Sequence, residues 1–219
     1  MVRKVAGVDD AGRGCVIGPL VVAGVLMPED RLSLLEQMGV KDSKELTPKR
    51  REKLAEEIRK VAEKVKVIKV PPQEVDRVVL RGVKYKRLNW LEAKIMAQVI
   101  TELKPEIVYV DASDVIEERF KKQILEAIPR GIEVISEHDA DAKYPIVSAA
   151  SIIAKTERDR EIQKLREKYG DFGSGYPSDP KTREFLIKCL RERGGYPDCV
   201  RRSWKTLKRL SAGRQETLV

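Results

Sequence analysis

The chain has 219 residues, 42% of them hydrophobic and 36% charged, and a formal net charge of +9. That length holds one sizeable core with a small appendage, and the basic balance favours a polyanionic partner, because each neutralised phosphate releases counterions. Three cysteines without a CxxC pair exclude a disulfide framework and a structural zinc site, and no apolar run reaches the ~20 residues of a membrane span.

Val2–Val8 reads as a short β-rich run. Asp9 and Asp10 break it too early for a signal peptide, so a cytoplasmic location is expected. A turn-like Asp9-Asp10-Ala11-Gly12-Arg13-Gly14 leads into a second β-branched run, Val16–Met27, with Gly18-Pro19 inside it as a kink or bulge. The two runs read as an antiparallel pair. Thr47-Pro48 opens a helix, with threonine as N-cap and proline in the first position, and Leu54, Ile58, Val61 and Val65 follow at helical spacing. Val65–Val70 reads as a strand stopped by Pro71-Pro72, and Lys84–Leu103 as a long helix. Glu106–Asp111 is an apolar strand buried on both faces. A helix over Val115–Ala127, a strand over Ile132–Ile135 and a helix within Pro145–Lys168 follow.

Strands alternating with helices predict an α/β fold, a mixed sheet flanked by helices. Gly170–Pro180 is the one convincing boundary. It divides a catalytic domain over residues 1–169 from a helical C-terminal region over 170–219. That region carries a helix near Thr182–Arg193, a basic segment around Arg201–Leu210, and residues from Ala212 onward expected to be frayed.

Asp9 and Asp10 end the first strand, Asp111 ends a buried strand, and Asp141 follows another strand. Strand ends of open sheets are where sites form, and three of them carrying carboxylates point to one shared site. Clustered carboxylates repel one another unless a cation neutralises them. Without a Cys/His set, the all-oxygen donors point to Mg²⁺ or Mn²⁺, and two such ions activate a water and stabilise a leaving phosphodiester oxygen. Neighbouring residues on a regular strand face opposite sides, so Asp9 and Asp10 reach one metal site only if the chain bends there.

These residues resemble a known family. Asp9-Asp10-Ala11-Gly12-Arg13-Gly14 followed by Gly18-Pro19 resembles the opening signature of type 2 ribonuclease H (ribonuclease HII), and Asp42-Ser43-Lys44 its next segment. Tyr109-Val110-Asp111-Ala112 resembles the third carboxylate strand, and His138-Asp139-Ala140-Asp141 with Ser148–Lys155 and Arg158-Asp159-Arg160 the family's most recognisable helix region. Gly173-Ser174-Gly175-Tyr176-Pro177-Ser178-Asp179 and Arg202-Ser203-Trp204-Lys205-Thr206 are similar to segments of archaeal members. The motifs stand in family order over residues 1 to about 210.

The resemblance implies a ribonuclease H-like core with a small helical C-terminal extension. It implies Asp9, Asp10, Asp111 and Asp141 as catalytic, metal-binding residues, and cleavage 5′ of a ribonucleotide in RNA–DNA hybrids and in ribonucleotide-containing DNA duplex. Two positions depart from it: Asp10 stands where glutamate is usual, and Asp139 where archaeal members often carry lysine. Gly12, Arg13 and Gly14 are the candidate reader of the ribose 2′-hydroxyl, because glycines let the main chain approach a sugar closely. By resemblance Tyr176 packs on the sugar, and Ser43 and Lys44 contact phosphate. His138, the only histidine, is assigned a structural role rather than that of a general base. Arg201, Arg202, Lys205, Lys208 and Arg209 either track duplex phosphates or form a solvated helix face with Trp204 packed inward. Cys15, Cys189 and Cys199 are expected to be inert, and a monomer is the default. The competing readings are a DNA nuclease or resolvase of the same fold, and a weakened protein that binds hybrids without cutting them.

Overall fold

The structure is a computed structural model that describes residues 2–40, 46–81 and 88–215. Contacts divide the chain into two compact units. The first comprises Met1–Ala11, Val21–Lys69 and Leu88–Glu157; the second comprises Gly12–Leu20, Val70–Arg87 and Arg158–Val219.

The first unit is built on a mixed sheet. Its strands are β1 (Lys4–Ala11), β2 (Leu20–Pro28), β3 (Lys64–Val70), β4 (Ile107–Asp111) and β5 (Glu133–Glu137), in the order β3-β2-β1-β4-β5. β1 pairs antiparallel with β2 and parallel with β4, and β4 pairs parallel with β5. The first apolar run therefore does pair with the second, but the second divides: Val16–Pro19 lies outside β2, whose ladder begins at Leu20.

Side chains alternate across the sheet, and the two resulting sets meet different helices. Val5, Ala11, Val21, Ala23 and Ile107 pack with Leu54 and Ile58 of α2 (Pro48–Val61) and with Ile146, Ala150 and Ile153 of α7 (Pro145–Tyr169). Ala6, Val8, Val22, Val108 and Val110 pack with Met96 and Ile100 of α4 (Leu88–Leu103) and with Phe120 and Ile124 of α5 (Glu117–Leu125). Gly7 permits the closest of these approaches, because a Cβ there would overlap the carbonyl of Ile146 at the start of α7. Thr47 caps α2 as expected, its hydroxyl accepting the Arg50 amide at 3.3 Å. Three further helices were not expected: α1 (Leu32–Gln37) after a short 3₁₀ turn, the short α6 (Ala140–Lys143), and α3 (Pro72–Arg81), whose opening proline reads equally as a strand stop and a helix start. Among the described residues no helix is long and apolar enough to cross a membrane.

An ion pair between the buried Asp114 and the half-exposed Arg119 secures the loop after β4. Asp114 accepts from Arg119 Nε at 2.8 Å, from Arg119 Nη2, and from the Ile116 amide at 3.0 Å. Burial pushes its carboxyl up, but Arg119, the Ile116 amide and Asn89 outweigh that and hold it down at about 2. A carboxylate depressed in the folded state stabilises above its unfolded value and loses that contribution as pH falls through the folded one, here between about 4 and 2. At about 1.4 kcal/mol per unit the contribution is roughly 2 kcal/mol. Asp114→Asn is therefore expected to be less stable than the parent by about that amount at about pH 6 and nearly equal to it at about pH 2. Denaturant unfolding at the two pH values checks this, and an equal gap at both would contradict it.

The second unit contains α3, and it gathers the C-terminal part of α7, α8 (Pro180–Arg193) and α9 (Lys205–Gln215) around a third apolar cluster that includes Val16, Ile17, Phe172, Leu186 and Val200. Its segments are laced by main-chain bonds. The amides of Val16 and Ile17 donate to Gly175 O at 2.8 and 3.1 Å, the Gly18 amide to Cys199 O at 2.8 Å, and the Arg201 amide to Val16 O at 2.8 Å. α9 runs to Gln215, past the residue at which fraying was expected to begin.

Candidate active site

Three strand ends of the first unit carry the candidate carboxylates. Asp9 and Asp10 lie near the end of β1 and Asp111 ends β4; Asp141 lies in the first turn of the short helix α6 (Ala140–Lys143), just after β5. The parallel register pairs Val8 with Val110, so Asp9 and Asp111 are the next residues on adjacent strands and point the same way. Asp111 Oδ1 accepts the Ala140 amide at 2.8 Å, which ties α6 to the end of β4. Asp9 and Asp141 are buried, at 6% and 5% exposure.

The bend on which Asp9 and Asp10 would depend to reach one site from the same side is absent. The ladder of β1 with β2 continues unbroken to Ala11–Val21, and the first positive φ, +82°, comes at Gly12. Asp9 therefore shares the face of Val5 and Ala11, while Asp10 shares that of Ala6 and Val8, where Ser113 Oγ donates to its Oδ1 at 3.1 Å. The two carboxylates flank the strand end rather than sharing one side of it. They remain coupled through space. Burial pushes the Asp9 carboxyl well above the ordinary carboxylate range, and the charges of Asp10 and Asp111 push it further the same way. The Ser151 hydroxyl and the Asp10 amide, which donates to Asp9 Oδ1 at 2.7 Å, act against this.

Among the described residues, no three His, Cys, Asp or Glu side chains close into a ligand set ready to hold a metal ion. The chemistry of the donors nonetheless fits a hard divalent cation. They are carboxylate oxygens, and the ionised form of Asp9 is disfavoured by its surroundings in a way that a bound cation would reverse.

A fifth carboxylate stands beside this set and was missed in the sequence. Glu137, which ends β5, pairs with Asp111 in the ladder; it accepts from Lys143 Nζ at 2.8 Å and from the Tyr144 hydroxyl at 3.3 Å. Its one linear signal was a place two residues past the strand expected over Ile132–Ile135, which the structure extends to Glu137. His138 is held structurally: its Nδ1 lies 3.1 Å from Ala112 O and its amide donates to Glu117 Oε1 at 2.6 Å. Asp139 occupies the position before α6 in the left-handed region at φ +53°, a conformation that aspartate tolerates better than most residues, and its side chain makes no capping bond to the helix.

Within the second unit, the Gly12-Arg13-Gly14 loop and Tyr176 come together. Gly12 is required at its position: besides the positive φ, a Cβ would lie 2.8 Å from Pro19 O and 3.0 Å from Arg158 Nε. The buried Arg158 guanidinium stacks on the Tyr176 ring at 4.8 Å and donates to Ser174 O at 2.7 Å. The ring itself faces Gly14. The expected basic stripe of the tail is altered. Arg201 is fully buried, donating to Gly18 O at 3.0 Å and to Arg13 O at 2.9 Å, and its guanidinium lies 4.8 Å over the Trp204 ring. Arg202, Lys205, Lys208 and Arg209 are exposed. Ser43 and Lys44 lie outside the described residues.

A mixed sheet in this order, flanked by helices and carrying carboxylates at its strand ends, is the architecture of the ribonuclease H-like hydrolases. The family model for ribonuclease HII matches residues 6–207. The ribonuclease HII of Archaeoglobus fulgidus is 53% identical over 214 residues, covering 97% of this chain and 98% of that protein. The crystal structure of ribonuclease H2 from Pyrococcus horikoshii OT3 superposes with a TM-score of 0.89 at 46% identity, covering 97% of this chain and 99% of that one. A complex of PCNA with RNase HII from Archaeoglobus fulgidus contains a chain that superposes at 0.85 with 52% identity, covering 94% of this chain and 96% of that one. The chain belongs to the ribonuclease HII family, and it is a hydrolase of the ribonuclease H type.

Proposed function

We propose that the protein is an endonuclease that hydrolyses the RNA strand of RNA–DNA hybrids and cuts 5′ of ribonucleotides embedded in duplex DNA. It acts as a monomer in the cytoplasm, with Asp9, Asp10, Asp111 and Asp141 holding two Mg²⁺ or Mn²⁺ ions. The observation that carries this reading is Asp9: a buried carboxylate at a strand end, its charge disfavoured by burial and by Asp10 and Asp111, is a group arranged for a cation rather than for stability. When bound, such ions supply a hydroxide and stabilise the departing 3′-oxygen.

The protein's own share is positioning. Asp9 and Asp111 converge from adjacent strands, and Asp10 bears on the other side of the β1 end, steadied by the Ser113 hydroxyl. The Gly12-Arg13-Gly14 main chain reads the ribose, since no side chain at its glycines obstructs a sugar. The Tyr176 ring, stacked on Arg158, packs on the sugar. Ser43 and Lys44 contact phosphate. Residues 170–219 serve in substrate binding, the exposed Arg202, Lys205, Lys208 and Arg209 tracking the duplex backbone.

The test is a pair of duplexes of one sequence, one with a single ribonucleotide and its all-deoxy twin, titrated with Mg²⁺ and then Mn²⁺. The expected outcome is cleavage of the first alone, giving a 3′-hydroxyl and a 5′-phosphate. Cutting of both identifies a DNA nuclease, and cutting of neither in any metal, with the ribonucleotide-containing duplex still bound in a gel shift, identifies a protein that binds without catalysis.

A further inference from the structure

Every carbonyl of the Gly12-Arg13-Gly14 loop is engaged within the second unit. Gly12 O accepts Cys15 Sγ at 2.9 Å, Arg13 O accepts Arg201 Nη1 at 2.9 Å, and Gly14 O accepts Trp204 Nε1 at 3.2 Å. Two of these donors belong to the first and last residues of one tight turn, closed by the Trp204 amide donating to Arg201 O at 3.3 Å. The middle of that turn is gripped by one side chain. Asp76 of α3, 9% exposed, accepts the Arg202 amide at 2.7 Å, the Ser203 amide at 2.8 Å and the Ser203 hydroxyl at 2.6 Å. An ionised carboxylate accepts on both oxygens and donates on neither, which matches three converging donors.

We propose that Asp76 is a positioning residue for the ribose-reading loop. By gripping Arg202 and Ser203 it sets Arg201 and Trp204 on either side, so that their donors capture the carbonyls of Arg13 and Gly14. Fixing those carbonyls fixes the peptide planes of the loop, and with them the direction of its amides. The proposal rests on the reading of this loop given above. Nothing in the linear order of Asp76, Trp204 and Gly14 joins them; only the folded unit does.

Asp76→Asn isolates the grip. Whichever way the asparagine amide is turned, its NH₂ meets the amide of Arg202 or of Ser203, donor against donor. Trp204→Phe removes the Nε1 donor and keeps a ring against Arg201, so it tests the same chain without touching Asp76. The measurement is metal-free binding by the full chain of an RNA–DNA hybrid and of the all-DNA duplex of the same sequence. Each variant is expected to lose about tenfold of the wild-type preference for the hybrid, with DNA affinity unchanged. The double variant is expected to lose no more than either single one, because both break one chain. Variants that keep the wild-type preference, or losses that multiply in the double variant, overturn the proposal. A wild type that binds both duplexes equally removes instead the ribose reading beneath it.

Discussion

Asp9→Asn is expected to abolish cleavage of an RNA–DNA hybrid and to raise the melting temperature of the metal-free protein. The two effects share one cause. Asp9 is 6% exposed and lies in the field of Asp10 and Asp111, so its ionised form is disfavoured in the folded chain. Because its folded value lies above its unfolded one, its contribution to stability is fully present below about pH 4 and is lost as pH rises through the raised value. At neutral pH the metal-free parent therefore carries a destabilising group that asparagine, uncharged at every pH, does not. The same substitution halves the negative charge that Asp9 and Asp111 jointly offer a cation. Loss of several kcal/mol of transition-state stabilisation corresponds to a fall in rate on the order of a thousandfold or more. Thermal melts with and without Mg²⁺ or Mn²⁺ separate the roles. The parent is expected to be stabilised by the ion, as any ligand that binds only the folded state stabilises it, and the variant is not. A variant that melts lower than the parent without metal, or that still gains from it, contradicts this account of Asp9.

The carboxylates could be read in the sequence because each ends or follows a run whose apolar character needs no partner to explain it. Val8 and Val110 are buried in the sheet wherever the rest of the chain goes, and the aspartates after them inherit the strand ends. What one strand could not disclose was the side each aspartate takes. The condition set by alternation, a bend between Asp9 and Asp10, failed because Ala11 still pairs with Val21 and holds β1 straight past both. Unit membership was harder still. Val16–Pro19 continues the apolar run of β2, yet it belongs with α3 and the tail, since its partners are Gly175, Cys199 and Val200. Arg201 looked like one more basic residue in a basic segment. Its burial is decided by two carbonyls more than 180 positions away, those of Arg13 and Gly18, and no local pattern encodes that. Arg158 and Asp76 share this property: each is a charged helix residue whose meaning lies in distant loops.

Asp10→Glu is expected to raise activity in Mg²⁺ by between about ten- and a hundredfold, the scale set by a misplacement of about 1 Å at a reacting centre. The argument begins with the regular strand. Asp10 leaves β1 on the face of Ala6 and Val8, away from Asp9, so to act on an ion shared with Asp9 its carboxylate must reach around the strand end. Glutamate, the residue usual at this place in the signature the chain resembles, adds a carbon–carbon bond of roughly 1.5 Å to that reach. Aspartate is shorter by that bond, and its Oδ1 accepts the Ser113 hydroxyl at 3.1 Å. Mg²⁺ demands near-ideal octahedral geometry and surrenders its waters reluctantly, so it suffers most from a short ligand; the gain in Mn²⁺ is expected to be smaller. Initial rates on one hybrid in each metal, at saturating ion, check both statements. Equal rates for parent and variant in both metals would mean that Asp10 already reaches the reacting centre, and that the shorter side chain is matched by a shift elsewhere at the β1 end.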